Sequence, residues 1–253
     1  AFSGGECHGG ALSLKTSRAE ISRSVFAWNT AGGGGGALCV DSTGVTTLTH
    51  VSLLGNSAAD GGGGLYTRAG AVLIQDSSVI SGNSVYGVPG SGGGVFAVGP
   101  LTVTDSAVSG NTAGDGGGIY AINTATLQNS MVAGNTAVDW DGACSGAGIV
   151  TRLSLDALNT QFVSNTANAG GGFAKGGGIC LRNGRMALEG VTLRGNQAGN
   201  RGGAIYAVDG TSAVIANSAL ESNTAEGGGG LFSAGEVELS GSAILSNSVY
   251  ASG

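Results

Sequence analysis

The stretch GNTAGDGGGIYA, residues 110–121, contains the two features from which the fold follows. Asn111 is followed by a small hydroxyl residue and an alanine, and three glycines then stand directly before the branched apolar Ile119. Strands and helices avoid such glycine runs, because glycine loses more backbone entropy on folding than other residues. Close variants of the arrangement recur nine times in the 253 residues, so the chain is built from internal repeats.

The first recurring feature is a branched aliphatic residue after a glycine pair or a close variant of it, which we call the anchor. Successive anchors are 24 to 30 residues apart. The nine anchors are Leu12, Leu38, Leu65, Val95, Ile119, Ile149, Ile179, Ile205 and Leu231.

The second recurring feature is an asparagine followed by Ser or Thr (Gln197 in one unit) and then by Ala or Val. An apolar residue lies three positions before each asparagine. The position eight residues before it is also apolar, except for Gln75. The nine asparagines are Asn29, Asn56, Asn83, Asn111, Asn135, Asn165, Asn196, Asn223 and Asn247.

The local hydrophobic period is two residues, which is typical of half-buried strands. Each unit predicts three short strands, and the whole chain, 1–253, predicts one all-β domain: a parallel β-solenoid of about nine coils. At the 4.8 Å spacing of paired strands, nine coils form a rod roughly 43 Å long. Glycine supplies the positive φ of one corner, and we expect the asparagines to form a hydrogen-bonded ladder between coils at another.

Composition excludes several classes of protein. The chain has 52 glycines but only two prolines, which excludes collagen, and 41% apolar with 10% charged residues favours a packed structure over disorder. A net charge of −6 argues against a nucleic-acid partner. No apolar run approaches the roughly 18 residues of a membrane span, and no cofactor is predicted.

The two features together resemble the GGAI and FxxN repeats of chlamydial polymorphic membrane proteins. GGAI stands at 202–205, GGAL at 9–12 and 35–38, FAWN at 26–29 and FVSN at 162–165, with close variants in the other units. The resemblance covers nearly the whole chain. It implies a right-handed parallel β-helix that acts as a secreted or surface-displayed adhesive or structural rod.

The four cysteines fall at two matched positions of the repeat. Cys7 and Cys144 each lie five residues before an anchor, whereas Cys39 and Cys180 each follow the anchor of the next unit. This match predicts the disulfides Cys7–Cys39 and Cys144–Cys180, although four unrelated thiols remain the alternative. Disulfides indicate an extracellular or cell-surface location.

The position after each anchor points outward if the anchor points inward. It is aromatic in five units, which predicts an exposed aromatic stripe on one face. Such a stripe is either a contact surface for a partner, including a glycan, or a stack of rings that stabilises the coil. Its residues are Tyr66, Phe96, Tyr120, Tyr206 and Phe232.

The acidic residues offer a weak metal site. Asp139 and Asp141 flank Trp140 in one of the longer units and are a candidate for Ca²⁺, which needs six or more oxygen ligands. Asp60, Asp115 and Glu226 precede glycine runs and are interpreted as solvated corner residues.

The sequence therefore predicts a non-catalytic segment of an extracellular filament or adhesin. Its expected partners are other copies of itself, neighbouring domains of the same fibre, or a glycan or host-surface ligand. We expect coils to continue beyond both ends, in the same chain or between subunits. The alternative is a β-helix that binds or cleaves surface polysaccharide, which a groove beside the long units, lined with aligned carboxylates, would favour.

Overall fold

The chain winds into a β-solenoid whose strands all pair in parallel between successive coils. A computed structural model describes residues 7–16, 18–88, 90–138, 144–168 and 173–250, and all regular secondary structure within them is β-strand. The strands, numbered β1 to β34 in chain order, form three sheets that run the length of the molecule.

The first sheet has sixteen strands and begins at the anchors. Its strands are β1 (Leu12–Leu14), β2 (Ala19–Ser22), β5 (Leu38–Thr49), β8 (Leu65–Gln75), β11 (Val95–Ala97), β12 (Leu101–Thr104), β15 (Ile119–Ala121), β16 (Thr124–Gln128), β19 (Ile149–Thr151), β20 (Ser154–Leu158), β23 (Ile179–Leu181), β24 (Arg185–Glu189), β27 (Ile205–Ala207), β28 (Ser212–Ala216), β31 (Leu231–Ser233) and β32 (Glu236–Ser240).

The second and third sheets have nine strands each and flank the asparagines. The second sheet consists of β3 (Val25–Ala27), β6 (Ser52–Leu54), β9 (Val79–Ser81), β13 (Ala107–Ser109), β17 (Met131–Ala133), β21 (Gln161–Val163), β25 (Thr192–Arg194), β29 (Ala219–Glu221) and β33 (Ala243–Leu245). The third sheet consists of β4 (Thr30–Ala31), β7 (Ser57–Ala58), β10 (Ser84–Val85), β14 (Thr112–Ala113), β18 (Thr136–Ala137), β22 (Thr166–Ala167), β26 (Gln197–Ala198), β30 (Thr224–Ala225) and β34 (Ser248–Val249).

The predicted stacking of the anchors is confirmed. Leu12 pairs with Leu38, Leu38 with Leu65, and the register continues anchor on anchor to Leu231. The nine coils are thus joined in eight steps, and the predicted three strands per coil correspond to the three sheets. In most coils the first sheet carries two strands, such as β15 and β16, and in β5 and β8 these merge into one.

Aliphatic side chains fill the interior as one continuous core, in which Leu38, Ile119 and Ile179 are fully buried. The third sheet contributes a row of alanines instead, including Ala137, Ala167 and Ala198. The small side chains fit because the glycine corner of the neighbouring coil passes close to this sheet. A Cβ at Gly117 would collide with the backbone carbonyl of Thr136, so a larger residue there would require the backbone to shift.

One coil departs from the register that the sequence suggests. Val103 pairs with Ile74, not with Gln75, so Ile74 fills the core and Gln75 lies on the outer surface. An extra residue in the following turn, where Asp76 and Ser77 both have positive φ, causes this shift. The polar exception at Gln75 is therefore an insertion, and the inward position is apolar there as well.

Candidate functional site

The asparagines form a continuous ladder along the corner between the second and third sheets. Each side-chain nitrogen from Asn29 to Asn223 donates to the Oδ1 of the asparagine one coil further, over 2.8–3.0 Å. The backbone N–H of the same residue donates to that Oδ1 over 2.9–3.0 Å.

The second proton of the amide is also used. From Asn56 onward each side-chain nitrogen donates to a backbone carbonyl of the preceding coil, over 2.7–3.0 Å. An amide offers two donors and an oxygen with two lone pairs, so the side chains from Asn56 to Asn223 use their full hydrogen-bonding capacity. Complete pairing is what allows these polar groups to be buried.

The residue before each ladder asparagine has a positive φ of 53–65° in all nine coils. Five of these residues are glycines and three are serines, whereas the first is Trp28. The left-handed conformation turns the chain by the same amount in every coil, which brings the asparagines into line. The indole of Trp28 lies over Gly55 of the next coil.

A second corner lies just before each anchor. One residue of this corner, which we call the corner residue, lies over the residue that follows the anchor of the next coil, which we call the outward residue. The corner residues are joined by backbone bridges such as Cys7 to Gly34 and Cys144 to Lys175. Both predicted cysteine pairs lie at disulfide distance, with Cα–Cα separations of 5.4 Å for Cys7–Cys39 and 5.7 Å for Cys144–Cys180. Each disulfide joins a corner residue to an outward residue.

Non-covalent pairs occupy the same place in other coils. A Cβ at Gly34 would collide with the ring of Tyr66, so that ring lies directly over the glycine. The guanidinium of Arg201 lies 4.6 Å from the ring centroid of Phe232. In these coils the corner residue is suited to its outward partner: glycine or a cation over a ring, and cysteine over cysteine.

This covering corrects the prediction of an exposed aromatic stripe. Phe96 is 3% exposed, Tyr120 0% and Tyr206 9%, while Tyr66 and Phe232 are half-buried. The rings stack between coils, with centroids 5.0 Å apart for Tyr66–Phe96, 5.3 Å for Phe96–Tyr120 and 5.6 Å for Tyr206–Phe232. They point away from the main core but are buried by the corner residues and by neighbours such as Val98 and Ile122.

Asp115 is also not the solvated corner residue expected from the sequence. Its carboxylate oxygen lies 2.6 Å from the guanidinium of Arg182, and both side chains are mostly buried. Arg182 comes from two coils further along the chain and also donates to the carbonyl oxygen of Cys144 over 2.8 Å and 3.2 Å. It further donates to the hydroxyl of Tyr120 over 3.4 Å, so one guanidinium ties together three coils.

A cavity of about 450 Å³ opens beside this guanidinium and is the candidate functional site, which we call the cationic cavity. Three of its seven lining residues carry a positive charge. The cavity is lined by Cys144, Arg152, Lys175, Arg182, Asn183, Tyr206 and Val208. The Nζ of Lys175 lies over the Tyr206 ring, 5.4 Å from its centroid.

Tyr120 is in contact with the guanidinium of Arg182. Burial raises the pKa of its phenol above the ordinary value, and Asp115 acts in the same direction. The positive charges of Arg182 and Arg152 and a hydrogen bond from Arg152 oppose the increase. Burial is the largest of these effects, and the protonated phenol accepts hydrogen bonds from the two arginines.

The sequence reasoning missed the cationic cavity, because Arg152 and Lys175 are 23 residues apart, Arg152 and Arg182 are 30 apart, and no motif marks them. It also missed two tyrosine straps. The Tyr86 hydroxyl donates to the carbonyl of Ala31 and that of Tyr250 to Ala198, each two coils back, over 3.1 Å and 2.8 Å. The repeated NSVY at 83–86 and 247–250 was the available signal.

The calcium candidate formed by Asp139 and Asp141 lies outside the described residues. Among the residues that are described, no three His, Cys, Asp or Glu side chains come together as a metal site. The same residues include no helix with the length and hydropathy needed to cross a bilayer.

Comparison with known proteins supports the architecture. The family model described as "Right handed beta helix region" matches residues 5–220, most of the chain. No curated protein and no solved structure matches the sequence. The stacked anchors, the three parallel sheets and this match lead to one conclusion: the chain belongs to the right-handed β-helix family.

Proposed function

We propose that the chain is a non-catalytic structural and adhesive rod, a segment of an extracellular filament or surface adhesin. The observation that carries this proposal is the ladder from Asn29 to Asn247, which is unbroken over eight steps. Buried amides that are fully paired make each coil a template for the next, which suits a rod under mechanical load.

The disulfides support an extracellular location. Both pairs lie at disulfide distance, and such bonds persist in oxidising compartments. The resemblance to GGAI/FxxN repeats supports the same location and an adhesive role. Because each disulfide joins adjacent coils, it resists their separation in addition to the backbone hydrogen bonds.

The partners we propose are further coils, either of this protein or of neighbouring domains in the same fibre. In the last described coil, the three inward-facing side chains are partly exposed to solvent: Leu239 is 45% exposed, Ile244 47% and Val249 63%. Their equivalents one coil earlier, Ile215, Leu220 and Ala225, are fully buried. Another coil stacked on this end would bury apolar area and pair the open strand edges.

Immunogold electron microscopy on intact cells of the source organism tests the proposal. With an antibody against the chain, we expect label on unpermeabilised cells, along thin surface projections. Label that appears only after permeabilisation would contradict the extracellular role. Electron micrographs of the purified chain provide the second readout, in which we expect short rods that join end to end.

The second candidate function is the binding or cleavage of surface polysaccharide. One observation favours its binding part, namely the positively charged cavity in a chain whose net charge is −6.

A further inference from the structure

We propose that the cationic cavity binds an acidic oligosaccharide, with Lys175 pairing with a carboxylate or sulfate group of the sugar. The inference rests on the proposed adhesive role and names the class of ligand that the rod would recognise. It is drawn from the charge, the unused hydrogen-bonding groups and the size of the cavity.

The charge of the cavity is opposite to that of the whole chain. Arg152, Lys175 and Arg182 line it, and Asp115 is paired with Arg182 beside it. Among the described residues, three cations therefore accompany one carboxylate there, in a chain with 16 acidic and 10 basic residues. A local positive potential of this kind favours an anionic ligand.

The two arginines are held in place by the protein itself. Arg182 is bonded to Asp115, to the Cys144 carbonyl and to Tyr120, and Arg152 is bonded to the same tyrosine. Their charges are thus positioned before any ligand arrives, which reduces the entropy lost on binding.

The ammonium group of Lys175 has unused hydrogen-bond donors. In the part of the chain that the structure describes, its ammonium makes no hydrogen bond or ion pair, and its contact is the face of the Tyr206 ring. Stacking on the ring restricts the side chain at the wall of the cavity. Lysine is therefore the cation we expect to meet the acidic group directly.

Neutral polar groups next to Lys175 favour a sugar over a simple anion. Within the described ranges, neither the Tyr206 hydroxyl nor the side-chain nitrogen of Asn183 has a hydrogen-bond partner, while the Asn183 oxygen accepts from Gly184. Val208 adds an apolar wall. A few convergent polar groups, an apolar wall and about 450 Å³ match a small ligand that carries hydroxyls as well as a charge.

Isothermal titration calorimetry at low ionic strength tests the inference with three hexasaccharides: a heparin-derived sulfated one, a galacturonate one and neutral maltohexaose. We expect heat from at least one acidic hexasaccharide and none from maltohexaose. Heat from the galacturonate hexasaccharide, which carries no sulfate, would show that a carboxylate is sufficient, whereas heat from the heparin hexasaccharide alone would show that sulfate is required. Binding should weaken as salt is added, because Arg152 and Lys175 are accessible to solvent.

Substitutions locate the site. Lys175→Gln should weaken binding about tenfold, since it removes a hydrogen bond to a charged group. Lys175→Arg should keep most of the affinity. The matched control is Arg185→Gln, which removes an exposed cation paired with Asp156 outside the cavity and should leave binding unchanged.

Hexaglutamate is titrated as a fourth probe. Three results would overturn the inference: binding of maltohexaose as tight as that of the acidic probes, Lys175→Gln indistinguishable from wild type, or tighter binding of hexaglutamate than of either acidic sugar. The last would assign the cavity to an acidic peptide. Immunogold labelling is independent of these titrations, so the extracellular role and the ligand class can fail separately.

Discussion

The contact between Lys175 and Tyr206 occupies the same position in its coil as the disulfide between Cys144 and Cys180 does one coil earlier. The ammonium nitrogen of Lys175 lies 5.4 Å from the Tyr206 ring centroid, and Cys144 and Lys175 are direct partners in the backbone bridges of the corner. The two contacts are chemically unrelated but geometrically equivalent, because every coil repeats the same register.

Replacing both Cys144 and Cys180 with alanine should lower the free energy of unfolding by about 2–4 kcal/mol. The disulfide closes a loop with a sequence separation of 36 residues, and its loss frees that loop in the unfolded chain. Urea unfolding followed by circular dichroism measures the change. An unchanged midpoint would show that this pair does not stabilise the coil.

A disulfide should form one coil further along after the double substitution Lys175→Cys and Tyr206→Cys. The new cysteines occupy the corner and outward positions that Cys144 and Cys180 hold in the preceding coil. Mass spectrometry with and without reductant detects the bond. In the control, Lys175→Cys with Ala207→Cys, the second thiol points into the core and should stay reduced.

Asn135→Asp should destabilise the fold by several kcal/mol, about 3–5. The substitution replaces a donor group with a buried carboxylate that faces the Oδ1 of Asn165 and the carbonyl of Val108. Thermal unfolding at pH 7 measures the loss. Asn129→Asp, at an exposed position, is the matched control and should change stability by less than about 0.5 kcal/mol.

Two glycine-to-alanine substitutions separate steric from conformational effects. Gly134 has a φ of 61° and open space where a methyl group would lie, so Gly134→Ala should cost only about 1–2 kcal/mol for the left-handed backbone. Gly117 has no positive φ, but an added methyl group would collide with the Thr136 backbone. Gly117→Ala should therefore cost more, and equal losses in chemical denaturation would contradict this explanation.

Stability should fall when the pH rises above about 10, and the titration of Tyr120 should not affect it below that value. Burial raises the pKa of Tyr120 above the ordinary 10.0, so the folded chain keeps a proton that the unfolded chain loses. Protons bound more strongly by the folded state lower its relative stability as the pH increases. Unfolding free energies at pH 9 and pH 11 should differ less in Tyr120→Phe than in wild type.

The parallel β-helix, the stacking of the anchors and the pairing of the cysteines could all be predicted from the order of residues. All three depend on position within the repeat, and parallel strands place equivalent positions of successive coils in direct contact, as Leu12, Leu38 and Leu65 show. A local pattern was therefore sufficient, because the fold converts the period of the sequence into spatial neighbours.

In contrast, the burial of the outward side chains could be determined only from the folded chain. The rings of Phe96 and Tyr120 are at outward positions, yet they are buried, because the corner residues and the side chains beside them close over them. Arg182 reaches Asp115, 67 residues earlier, through a long side chain that crosses two coils. Such contacts depend on side-chain length and direction between non-adjacent coils, which the repeat period does not specify, and the cationic cavity arises from them.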